Sequence, residues 1–380
     1  MSFDITQEQQ MIEETLERLL ADHWDRQKSH DAQALGAMRD AIWAQLGELG
    51  LLGALLPESW GGIGGGPGES LVMARVCGRL GADLPLLSSI VLAGGALLDI
   101  EAATLPFDPE QVASGRLRLA LGVLEPGRRY ASDGLTLQAD ADGDRWLLRG
   151  VKQHVLDGAS ADWLVLAAAL GDAPHAPTGL FLVARDHPGL RCTEYPAVGG
   201  ARLAHVACDR VSLPADALVA RGAAASAAIE RALQRARFWA AAETLGACEA
   251  ALNQTIDYLR IREQFGRRLA SFQALQHRLA DAYSELELLR SQVLGARIAL
   301  DEDPDGERAR RDLAAACAMS AEVGDLIGRE AIQLHGAIGM TQELGIGRYL
   351  MRVDFLWRLL GDARYQRERL LQVLPELESL

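Results

Sequence analysis

The chain has 380 residues, 49% of them hydrophobic and 24% charged, enough for two or three packed domains of an ordinary globular protein. Asp and Glu number 52 against 38 Lys and Arg; the resulting net charge of -14 argues against nucleic acid as a partner. Five cysteines, Cys77, Cys192, Cys208, Cys248 and Cys317, form no C-x-x-C pair, so neither a disulfide framework nor a thiolate zinc site is indicated, and a cytoplasmic location is expected.

The opening MSFDITQEQQMIEETLERLL carries acids where a secretory leader carries basic residues, and no apolar run approaches the roughly 18 to 20 residues of a membrane span. Export and membrane insertion are not expected. Met11, Ile12, Leu16, Leu19 and Leu20 recur at helical spacing, which predicts an amphipathic helix from Gln7 to about Leu20. A second helix is predicted over Met38–Leu51, followed by a loop rich in glycine from Gly61 to Gly68, then helix again from about Glu69 to Leu98. The glycine cluster lacks Gly-Lys-Ser/Thr and any G-x-G-x-x-G, so it reads as a loop rather than a phosphate cradle.

Between Arg116 and Pro214 short apolar runs alternate with turn residues, which predicts a β domain. Its clearest hairpin runs from Leu135 to Ala139, turns through Asp140–Asp144 and returns over Trp146–Leu148. Long helical periodicities follow at Ala223–Leu259, Phe272–Leu300, Glu307–Leu334 and Gly347 to about Leu374, suggesting an antiparallel bundle. The fold class is therefore mainly α with a β domain. A helical domain over 1–115, a β domain over 116–220 and a bundle domain over 221–380 are expected.

Three stretches resemble the acyl-CoA dehydrogenase family, in the family's order. They are WAQLGELGLLGALLPESWGG from Trp43, YLRIREQFGRRLASFQALQHRLAD from Tyr258, and QLHGAIGMTQE from Gln333. The resemblance implies an N-terminal helical domain, a β-barrel-like middle domain and a C-terminal four-helix bundle. It also implies FAD-dependent α,β-dehydrogenation of an acyl-CoA thioester, with electrons passed to an electron-transferring flavoprotein. Such chemistry needs a carboxylate to take the α-proton, a flavin to accept the β-hydride and donors on the thioester oxygen.

The resemblance places the family's usual base at Leu360 and its minority alternative at Ala236, just before Arg237, so both base positions are apolar here. Arg237 itself matches a family arginine near the substrate's pantetheine. Two other acids are candidates. Glu243 lies on nearly the same helix face as Ala236 but about 10 Å along the axis, and its other reading is a carboxylate paired with a nearby Arg. Asp362 follows Leu360 by two residues, and its other reading is a helix cap.

Family members grip each flavin with the middle domain of one subunit and the bundle of its neighbour. The bundle share is implied at Arg262, Phe265, Gln273, Gln333 and Gly336. The middle-domain share is eroded: Leu124 precedes Glu125-Pro126 where the family has Thr, and His154 and Leu156 replace a Trp and a Thr after Lys152. Arg128, Arg129 and Tyr130 stand where Gly-Ser-Asp is usual, and His154 is a candidate for stacking on a flavin. Three functions compete on this pattern: a hetero-oligomer subunit lending its bundle residues to a related second chain, a self-sufficient homotetramer with a displaced base, and a flavin-free acyl-CoA-binding scaffold.

Overall fold

The computed structural model of the chain describes residues 5–24, 32–100, 105–173, 176–341 and 343–374. The first periodicity forms α1, Gln7–His23. Thr6 caps it by accepting the Gln9 N–H while Gln9 reaches back to the Thr6 N–H, and Ile12, Leu16, Leu19 and Leu20 are buried. The second forms α2, Ala32–Glu48. The glycine loop that follows is a structural element. The N–H groups of Gly62, Ile63, Gly64 and Gly65 donate to carbonyls of Pro57, Gly53, Leu56 and Ala54, so none of the four is left to cradle a phosphate.

The predicted continuous helix over 69–98 is broken. α3 spans Pro67–Leu80 and stops at Gly81 in the left-handed conformation. After Pro85 the chain takes up a fully buried π-helix, Leu86–Gly94, followed by the single turn α4, Gly95–Leu98, and later the single turn α5, Glu110–Ala113.

The strands of the β region run from Leu119 to Arg221. β1 is Leu119–Gly122, β2 Gln138–Asp142, β3 Arg145–Leu156, β4 Trp163–Leu170, β5 Thr178–Ala184, β6 Leu190–Pro196, β7 Arg202–Pro214 and β8 Leu218–Arg221. They form one sheet in the order β6-β7-β3-β2-β4-β5-β8, with β1 also paired to β4. The sheet is open rather than a closed barrel. Its hairpin is tighter than predicted: Asp142 pairs with Arg145, leaving Gly143 and Asp144 as the turn, because Gly143 takes the left-handed φ that a two-residue connection requires. Leu137, Leu148, Leu164, Leu166, Phe181, Val206 and Val211 build its core.

After β8 the long helices run as α6, Ala223–Ile261; a small hairpin of β9, Glu263–Gln264, and β10, Arg267–Arg268; α7, Gln273–Glu302; α8, Glu307–His335; α9, Gly347–Leu360; and α10, Ala363–Val373. The mainly α fold with a β domain is as expected, but the chain divides into two compact units that cut across the N-terminal region. A bundle unit takes Met1–Met38, Gly66–Asp83 and Arg237–Leu380; a sheet unit takes Arg39–Gly65 and Leu84–Ala236. Within the bundle unit α3 and α6 touch backbone to backbone. A Cβ on Gly78 would lie 1.9 Å from the Glu243 carbonyl, and one on Gly246 2.0 Å from that of Arg75.

Candidate active site

The end of α9 carries Leu360, where the family resemblance places the usual base. Leu360 is buried, and the next residue, Gly361, has φ 123° and ψ 120°. A Cβ there would meet the Tyr365 ring at 2.3 Å, so only glycine makes this turn. Asp362 then caps α10, its carboxylate accepting the Tyr365 N–H at 2.9 Å. Gln366 hooks back beneath: its amide donates to the Leu360 carbonyl at 3.0 Å and the Gly361 carbonyl at 3.1 Å. The buried Arg237 donates to the same Leu360 carbonyl at 3.4 Å, so the structure brings Arg237 and the Leu360 turn together. A turn held this firmly presents only a leucine side chain. Ala236, beside Arg237 on α6, is also fully buried and apolar.

Neither candidate replacement acid is idle. Glu243 is 1% exposed; its carboxylate accepts Arg352 Nε at 2.5 Å and the Trp239 indole N–H at 2.9 Å, while Arg352 also binds Asp83 at 2.6 Å. Glu243 therefore occupies the structural role that the sequence left open to it, and Asp362 does likewise as a cap. Asp362→Ala is expected to lower stability by about 1 kcal/mol through the lost cap, with Asp362→Asn near wild type. Chemical denaturation of the two variants checks this.

The residues matched to the family's bundle share gather at one end of the bundle unit. α6 runs out at Ile261 into the β9–β10 hairpin, whose turn places both Phe265 (φ 55°) and Gly266 (φ 76°) in the left-handed region. A phenylalanine in that conformation is strained, yet Phe265 is 89% exposed. Its ring meets Phe272 edge-on at 6.2 Å, and Arg267 lies over Phe272 at 3.9 Å. Arg262, Arg267, Arg268 and Gln273 are exposed around it. Gln333 is exposed on the last turn of α8, and Gly336, with φ 70° and ψ -145°, ends that helix in a conformation closed to other residues. Tyr258 stacks on His335 with ring centroids 4.5 Å apart and so ties the end of α6 to the end of α8. In a protein of net charge -14, Arg260, Arg262, Arg267 and Arg268 gather positive charge around an exposed phenylalanine, with Arg260 3.5 Å from Asp257 and Arg268 3.9 Å from Glu263. Sequence reading found five residues of this patch and missed Arg267, Phe272 and His335, although all three lie within the quoted motifs.

In the sheet unit the matched positions are committed elsewhere. Glu125 accepts Lys152 at 2.5 Å and the N–H groups of Thr136 and Leu137, with both charged partners buried. Burial pushes the Lys152 ammonium down to about 8 against the pull of Glu125. Burial also opposes ionisation of Glu125, but the Lys152 charge and the converging donors outweigh it and lower its pKa. The register of β3 against β7 slips between Lys152 and Val155, and His154 sits in that bulge at φ 55°. The Tyr195 hydroxyl accepts the His154 N–H at 3.2 Å and bonds its Nδ1 at 2.6 Å, with His205 stacked on Tyr195 at 4.7 Å. Leu156 is buried. Arg128 is turned to the Asp133 carbonyl, and Arg129 lies over the Tyr130 ring. None of positions 124, 154 and 156 offers a hydroxyl.

Residues 6–100 match the family described as acyl-CoA dehydrogenase, N-terminal domain, and residues 225–374 the one described as acyl-CoA dehydrogenase, C-terminal domain. The acyl-CoA dehydrogenase FadE12 of Mycobacterium tuberculosis is 31% identical over 88% of this chain and 87% of its own. Among solved structures, the chain is similar to one in the ChsE4-ChsE5 complex of Mycobacterium tuberculosis, with a TM-score of 0.84 and 26% identity over 99% of this chain and 100% of that one. It is also similar to one in the Tcur3481-Tcur3483 steroid ACAD, with a TM-score of 0.81 and 30% identity over 96% and 97%. With matches at both ends and a relative this similar over most of its length, the chain belongs to the acyl-CoA dehydrogenase family.

Proposed function

We propose that this chain is one subunit of a hetero-oligomeric acyl-CoA dehydrogenase and lends its bundle tip to the FAD held by a related partner. The family's cofactor is FAD, and this chain fits it unequally. The tip offers exposed arginines and glutamines suited to a pyrophosphate, an exposed Phe265 and a Gly336 that admits close backbone approach. The sheet unit offers a buried Glu125–Lys152 pair, a tethered His154 and a buried Leu156 where flavin-facing hydroxyls would stand. FAD, when bound, accepts the β-hydride of the acyl thioester. This chain's part is to bind and orient it, since Leu360 and Ala236 can take no α-proton.

The observation that carries the reading is that asymmetry: an exposed, arginine-rich tip in a chain whose turn after α9 is firmly built but carries no carboxylate at Leu360. The two-protein composition of the ChsE4-ChsE5 and Tcur3481-Tcur3483 structures supports it. The cytoplasmic location, the electron-transferring flavoprotein as acceptor and the boundaries 1–115, 116–220 and 221–380 belong to the same proposal. No helix among the described residues is long and apolar enough to cross a membrane. The test is the flavin content of the purified protein from its visible absorbance. Expressed alone with excess FAD the chain is expected to be colourless, and with its partner about one flavin should accompany two chains. One flavin per chain in the lone protein would sink the lending role and return attention to a homotetramer.

A further inference from the structure

We draw no further inference here: the strongest candidate, the His154–Tyr195–His205 side-chain cluster where the bulge of β3 meets β7 and β6 in the sheet unit, belongs to the site already described, since His154 stands at one of the positions matched to the family's flavin-facing residues.

Discussion

Arg352→Met is expected to destabilise the bundle unit by about 3–5 kcal/mol. Arg352 joins two carboxylates, Glu243 and Asp83, and all three side chains are 8% exposed or less. Its guanidinium donates from Nε and Nη2 to Glu243 and from Nη1 to Asp83, bracing α9 against α6 and the end of α3. Removing the arginine takes from both buried carboxylates their common counter-charge in a low-dielectric interior, where Glu243 keeps the indole N–H of Trp239. Glu243→Gln should cost less, because Arg352 keeps Asp83 as its counter-charge. The combination Asp83→Leu, Glu243→Met, Arg352→Met should recover much of the loss, since an apolar replacement of the whole cluster strands no charge. Tryptophan fluorescence during urea unfolding reports it directly, as Trp239 binds Glu243 and Trp357 binds Thr244 next to it. A variant as stable as wild type would mean that Glu243 is free of this ion pair, and its candidacy as a displaced base would revive.

The helices and strands were legible because their causes are local. Leu16, Leu19 and Leu20 announce α1 by spacing alone, and the run WLVLAAAL announces a strand buried on both faces. The π-helix at Leu86–Gly94 was not legible, because its apolar run is the same whether the backbone winds as α or π. Its path is braced by long-range partners. Ser88 donates to Asp157 at 2.6 Å, and Ser89 accepts the Leu119 N–H at 2.9 Å. The same distinction runs through the site. That positions 360 and 236 lack a carboxylate is written in the chain. What Glu243 does instead depends on Arg352, 109 residues away, and what Lys152 does depends on Glu125. Spacing within one helix could place Glu243 near the site but could not reveal that its charge was already taken.

Arg262→Ala in this chain is expected to weaken flavin binding by the assembled enzyme about tenfold to a hundredfold, the value of charge-assisted hydrogen bonds to a phosphate. The substitution is clean because of where Arg262 stands. Its backbone closes the hairpin through Tyr258 and Leu269, while its guanidinium is exposed and enters none of the ion pairs seen among the described residues. Folding should therefore be untouched, in contrast to Arg352→Met, and the loss should appear as dissociation of flavin on dilution. Phe265→Ser should act in the same direction, and Phe265→Gly should relax the left-handed turn while still losing flavin, separating the ring's contribution from the strain that displays it. Lending makes a sharper demand. The flavin lost is one that sits on the partner's sheet domain, so Arg262→Ala must act from this chain. Salt should mimic the substitution in wild type and add little to the variant, because an exposed arginine facing a pyrophosphate is screened over about 10 Å at 0.1 M ionic strength. Full flavin retention by an Arg262→Ala, Phe265→Ser double variant would show that the tip serves another purpose, leaving its strained and exposed phenylalanine to be explained by protein contacts alone.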